Sequence, residues 1–291
     1  MPISHLLLAL LVVLIWGVNF IFVKLALQDI SPLFLCAIRF LLASMPAIFF
    51  IKRPPIPFRI LMLYGLIVFA LQFSLVFIGM NSGMTAGMAS LLMQVQIFFS
   101  MLFAAILLKE VPTAWQIVGA LISFIGIGLV SMHLDHSITW VGFTCLLGAA
   151  ASWGIGNLLG KKIRGVNMIA LVVWGSFVAS IPMFLLTYLF EGKELIIHGV
   201  HLISWSSALS LLYIVYGSTW IGYGLWNWLL SKYPVGTIVP FTLLVPIVGM
   251  LSSVLFLNES LELWKIIAAF FVIGGLCINL LGAKLFIKNR V

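Results

Sequence analysis

Inside runs of otherwise apolar residues, this sequence sets a small group of side chains able to do chemistry. They are Asn19, Arg39, Gln72, Gln94, Gln96 and Asn157, with the rings of Trp16, Trp153, Tyr216, Trp220 and Tyr223 among them. A polar group in such a run costs free energy unless it is paired, so each implies either a structural partner or a ligand. Asn19 and Asn157 stand three and four residues beyond Trp16 and Trp153, near the face those rings occupy on a helix. Their amides suit a polar head group or a neighbouring helix, and the spacing leaves both readings open. Gln94 and Gln96 are about 200° apart on an α-helix, so one is expected to line a pathway and the other to bond a neighbour. Arg39 lies well inside its run, where a charge at a helix centre costs about 2.5–3.5 kcal/mol. It either attracts a carboxylate or bonds carbonyls or a helix end. Tyr213, Tyr216, Trp220, Tyr223 and Asn227, at spacings of three or four, make one aromatic-polar face suited to a cavity wall.

Other chemistries lack their residues. No GxxxxGK[ST] occurs, so ATP hydrolysis is excluded. The acids Asp29, Glu110, Asp135, Glu191, Glu194, Glu259 and Glu262 all fall between apolar runs, which removes a proton relay through a mid-run carboxylate. All of the histidines, His5, His133, His136, His198 and His201, fall in breaks or at a terminus, so no hydrolytic cluster can be assembled and no enzyme is expected. Cys36, Cys145 and Cys277 have no CxxC spacing, and neither a disulfide, a metal nor another cofactor is implied.

The elements that position these residues follow from composition. Hydrophobic residues make up 64% of the chain and charged ones 8%, against about 25% charged in a soluble domain. Ten runs reach the length needed to cross a bilayer: Leu6 to Val23, Pro32 to Ile51, Ile60 to Met80, Thr85 to Leu108, Thr113 to Met132, Ile138 to Leu159, Ile169 to Phe190, Ser207 to Leu230, Gly236 to Leu257 and Leu261 to Ile287. They are continuously apolar, which points to helices rather than alternating barrel strands. The first has no basic leader and no cleavage site and is expected to remain as a span. On this map eleven bases lie on one side (Lys52, Arg53, Arg59, Lys109, Lys161, Lys162, Arg164, Lys232, Lys284, Lys288 and Arg290), with Lys24, Lys193 and Lys265 on the other. That asymmetry places both termini in the cytoplasm. The bases form juxtamembrane groups and no stripe, so nucleic acid is not an expected partner; the lipid bilayer and a small molecule are. Oligomeric state is not encoded in any feature of the sequence.

A duplication underlies the ten runs. Trp16-Gly17 with Lys24 recurs as Trp153-Gly154 with Lys161, and Lys109-Glu110 with Trp115 and Gly126 recurs as Asn258-Glu259 with Trp264 and Gly275. The halves are residues 1–133 and 138–287. Five spans each is an odd number, so the second half enters the membrane from the opposite side, the inverted-repeat plan of many secondary transporters. Glu110 and Glu259 precede Thr113 and Ser260, which are placed to cap the fifth and tenth helices. Each acid favours its helix dipole or serves a gate. The glycine-rich fifth and tenth helices read as peripheral scaffold.

The segments WGVNFIFVKLAL, CAIRF, NSGMTAGMASLLMQVQIFF, LLKEVPTAWQIVGALISFIGIGLV and VPFTLLVPIVGMLSSVLFLNESLELWKIIAAFFVIGG resemble the EamA-type branch of the drug/metabolite transporter superfamily across nearly the whole chain. The resemblance implies a ten-helix inverted repeat around a central cavity in a bacterial inner membrane. It also implies export of amino acids or related metabolites, such as cysteine and O-acetylserine. The family glutamate after the fourth and ninth spans maps onto Glu110 and Glu259. Two departures stand out: Pro234-Val235-Gly236 takes the place of Thr85-Ala86-Gly87, and Leu243 and Val245 take the place of Gln94 and Gln96. The halves therefore need not contribute equally to a site.

Overall fold

Apolar runs of this length satisfy their backbone internally, and helices are the only regular structure among the described residues. The computed structural model describes residues 1–133, 138–163, 166–194, 197, 203–233 and 238–287. The helical segments are α1 (Ile3–Ala26), α2 (Pro32–Phe49), α3 (Phe58–Asn81), α4 (Ala86–Leu108), α5 (Ala114–Met132), α6 (Trp140–Gly160), α7 (Met168–Glu194), α8 (Trp205–Lys232), α9 (Phe241–Leu257) and α10 (Leu263–Ile287). Among the described residues nine are long and apolar enough to cross a membrane, and α9 falls short of 18 residues. At about 1.5 Å per residue it covers less than about 27 Å. The run expected there starts at Gly236, which lies outside the described residues.

Sequence explains the helix starts. Thr85, Thr113, Thr139, Asn167 and Ser204 each place a side-chain oxygen over the first turn of α4, α5, α6, α7 and α8, accepting from a backbone N–H. Thr113 does so within a full capping box, its own N–H donating to Gln116 Oε1 at 2.8 Å. Ser260 departs from expectation: α10 starts at Leu263, too far on for a cap, and the Ser260 hydroxyl bonds the Glu262 carboxylate at 2.8 Å instead.

Glu259 also departs from expectation. Its carboxylate accepts from the Ala86 and Gly87 amides at 2.8 and 3.2 Å, so it caps α4 in the other half and not α10. Two further acids work across the halves in the same way. Glu191 accepts from Leu33 N, Phe34 N and Ser31 Oγ at the start of α2. Asp29 accepts from Ser204 N at 3.0 Å and Ser207 Oγ at 2.7 Å at the start of α8. The Ser204 and Ser207 bonds hold the Asp29 carboxyl below its ordinary value, the Ser204 hydroxyl contributing most.

The duplication reappears in geometry. α4 and α9 both end on a left-handed residue, Lys109 (φ 54°) and Asn258 (φ 52°). The amides of Glu110 and Glu259 turn back to Ala104 O and Ser253 O, each at 3.3 Å. The third helix of each half carries a π-helical stretch, Gly65–Leu71 in α3 and Tyr213–Gly222 in α8. The fourth carries a 3-10 stretch, Met93–Val95 in α4 and Val239–Leu244 running into the first turn of α9.

Packing also interchanges under the repeat: α1 lies on α8 and α9 as α6 lies on α3 and α4, while α2–α7, α4–α9 and α5–α10 pair each element with its own counterpart. Glycines permit the closest approaches. A Cβ on Gly119 would stand 2.4 Å from the Gly275 carbonyl oxygen, and one on Gly275 would stand 2.4 Å from that of Gly119. The two halves therefore share one core, with a cavity at their seam.

Candidate functional site

The cavity offers about 120 Å³ to the centre of a water-sized molecule. Its walls come from α1 (Trp16, Asn19, Phe20), α2 (Arg39), α3 (Gln72, Phe73, Val76, Phe77), α4 (Ser90, Met93, Gln94, Gln96), α6 (Trp153), α8 (Ser218, Tyr223) and α9 (Thr242, Val245). The irregular stretches converge here. Gln72 follows the π-helical stretch of α3, Ser218 lies in that of α8, and Met93 and Gln94 lie in the 3-10 stretch of α4. Mid-helix irregularity of this kind frees backbone groups and often accompanies function.

Trp16 and Asn19 share the cavity face as their spacing predicts. The Trp16 indole donates to Ser218 O at 3.2 Å and lies against the backbone of α8, where a Cβ on Gly222 would stand 2.5 Å from its Nε1. Trp153 reaches the cavity from α6, but Asn157 does not. Asn157 is exposed, and its Nδ2 donates to Gln96 Oε1 at 2.7 Å and Ser100 Oγ at 2.8 Å. The extra residue between Trp153 and Asn157 turns the amide about 100° further round its helix than the three-residue step does for Asn19.

Both Gln94 and Gln96 line the cavity, against the expectation that only one would. The 3-10 stretch advances about 120° per residue in place of 100°, which brings the two side chains nearer to one face. Gln94 Nε2 also donates to Thr242 O at 3.3 Å, tying α4 to α9. The aromatic face expected on α8 is divided. Tyr223 lines the cavity, Tyr216 is 43% exposed and outside it, and the Trp220 indole donates to Ala43 O on α2 at 3.2 Å. Tyr213 stacks on Phe22 and donates to Ile15 O at 2.8 Å. The side chain of Asn227 lies outside the described residues. A spacing of three or four tracks one face of an α-helix, and the wider π turn from Tyr213 to Gly222 breaks that register.

Arg39 is 2% exposed. Its Nη2 donates to Thr219 Oγ1 at 3.2 Å, while Nε and Nη1 have no partner among the described residues, so the expected carbonyl or helix-end bond is not what holds it. Instead its guanidinium sits 4.0 Å from the Phe73 ring centroid, with Phe40 and Phe77 at 5.4 and 5.8 Å. Ser218, Thr242 and the cavity phenylalanines escaped the sequence reading. Serine and threonine are common in buried helices, and phenylalanine is indistinguishable there from core. Among the described residues no three His, Cys, Asp or Glu side chains gather as a metal would require.

A largely apolar cavity holding a few polar groups, at the seam of two duplicated helical halves, fits a membrane carrier, and the chain belongs to the EamA-like transporter family. The model of that family matches residues 3–132 and again 140–281. The protein is a multi-pass membrane protein. A "Probable amino-acid metabolite efflux pump" of Escherichia coli (strain K12) is 37% identical over 284 residues, covering 95% of each chain. A protein of the same name from Salmonella typhimurium (strain LT2) is 38% identical over 291 residues, covering 98% of this chain and 97% of its own. A crystal structure superimposes over 100% of both chains with a TM-score of 0.67 at 15% identity, which shows a shared fold.

Proposed function

We propose that this protein is a secondary exporter of small amino-acid-like metabolites, cysteine and O-acetylserine among them, across the bacterial inner membrane. The observation that carries the reading is the cavity itself, walled by both halves and carrying amide, hydroxyl and guanidinium groups within an apolar bundle. The names of the two efflux-pump relatives support the substrate class. In this reading the chain crosses the membrane ten times with both termini cytoplasmic. Residues 1–133 and 138–287 are inverted repeats that rock to open the cavity to either face in turn. Trp16, Asn19, Arg39, Gln72, Gln94, Gln96, Trp153 and Tyr223 contact the substrate. Asn157, Tyr216 and Trp220 support them from outside, and Glu110 and Glu259 hold helix ends that move during the cycle.

Purified protein reconstituted in liposomes is the test. Labelled cysteine or O-acetylserine is expected to exchange across the membrane faster than in empty liposomes. Silence with these and with a broad panel of amino acids overturns the proposal.

A further inference from the structure

Five buried side-chain N or O atoms lack a hydrogen-bond partner among the described residues, and four of them belong to residues lining this one cavity. They are Arg39 Nε and Nη1, Asn19 Oδ1 and Gln72 Oε1; the fifth is Ser176 Oγ on α7. An unpartnered buried polar atom is costly, and random placement would not gather four on three helices round one space. Their chemistry divides into two kinds. Arg39 supplies donors that cannot lose their charge, and the two amide oxygens supply acceptors.

We infer that the cavity reads both ends of a zwitterion, Arg39 taking the carboxylate and the Asn19 and Gln72 oxygens taking the ammonium of a free α-amino acid. This rests on the transport reading above and narrows its substrate class. The phenylalanines fit the role. Phe73 occupies the face of the guanidinium at 4.0 Å, so the cation is stabilised without using the N–H groups at its edge. Among the described residues no other charged side chain lines the cavity, and much of the remaining wall is apolar, as at Phe20, Val76 and Val245. A substrate side chain therefore meets no counter-charge, which selects neutral amino acids. An amine lacking the carboxylate would set its charge near that of Arg39 with nothing to offset either. An acid lacking the ammonium satisfies Arg39 but leaves both amide oxygens bare.

Binding to the purified protein, read by thermal-shift titration, tests this apart from flux. L-cysteine, L-serine and L-alanine are each compared with their decarboxylated amine and their deaminated acid. At least one amino acid is expected to bind, its amine not at all, and its acid roughly tenfold more weakly. Gln72→Met is expected to keep or raise thermal stability, because it removes an unpartnered polar atom, while weakening the amino acid roughly tenfold and leaving the acid unchanged. Arg39→Met is expected to abolish binding of the amino acid, and should it not fold, the wild-type panel and Gln72→Met still decide. Equal binding of amine and amino acid, no binding by any amino acid, or a Gln72→Met protein that loses stability and keeps affinity would each overturn the inference. Binding with this selectivity but no flux in liposomes would instead overturn the transport reading. Flux without the selectivity would overturn the zwitterion reading alone.

Discussion

Asn19 and Asn157 show how one residue of spacing decides a side chain's work. Both follow a Trp-Gly pair, yet only Asn19 faces the cavity, whereas Asn157 ties α6 to Gln96 and Ser100 on α4. Alanine substitution therefore separates them. Asn19→Ala is expected to cut flux in liposomes several-fold with thermal stability unchanged. Asn157→Ala is expected to lower stability by about 1 kcal/mol, two interhelical bonds at roughly 0.6 kcal/mol each, with the smaller loss of flux. Equal flux losses at equal stability would remove the distinction. Part of the cavity wall was legible, because amides, an arginine and tryptophans inside apolar runs have few other reasons to be there. Orientation was legible only where the helix is regular. Asn19 obeys α-helical spacing, whereas Gln94, Gln96 and Tyr216 sit in or beside 3-10 and π stretches that change the angle per residue.

Helices as units were legible from length and hydropathy, and the start of α5 from Thr113, whereas Ser260 misled at α10, which begins only at Leu263. The partners of the acids were not legible, since Asp29, Glu191 and Glu259 cap helices far away in sequence and nothing local encodes that pairing. The Asp29 carboxyl, held low by Ser204 and Ser207, contributes stability that is fully present above the ordinary carboxylate value of 3.8 and is lost as pH falls through its lower folded-state value. Melting of detergent-solubilised protein between pH 6 and 3 should show this loss below about pH 4, and Asp29→Asn should flatten that part of the profile. The α5–α10 pair depends on absent side chains instead. Gly119→Ala brings a Cβ within 2.4 Å of a backbone oxygen that cannot rotate away, so the helices must separate at a cost of about 1–3 kcal/mol. A melting temperature unchanged by Gly119→Ala would show that α5 and α10 part without cost.

At the scale of the whole molecule, the largest packing contacts join the two halves, and one end of the bundle is clasped. Asp29 of the first half holds α8 of the second; Glu191 and Glu259 of the second hold α2 and α4 of the first; and the Thr139 hydroxyl reaches Ser82 O between α6 and α3. Charge-assisted bonds to backbone N–H groups are the stronger kind, so parting the halves at this end requires breaking several at once. The opposite end is joined across the halves by Trp174 Nε1 to Ile51 O and by His5 to Tyr233, both without charge-assisted capping of a helix end. If the halves rock, the acid clasp must release before this end can part, and in the proposed topology it faces outward, away from the eleven bases. Its release should then be measurable. In a background lacking Cys36, Cys145 and Cys277, a cysteine placed at Ser90 in the cavity is labelled by a membrane-impermeant maleimide added outside intact cells. Converting Asp29→Asn, Glu191→Gln and Glu259→Gln together keeps size while weakening all three acid clasps, and labelling is expected to accelerate at least several-fold. Unchanged labelling, with the protein still folded and the cavity cysteine reactive after detergent extraction, would mean that these carboxylates fasten helix ends without governing access.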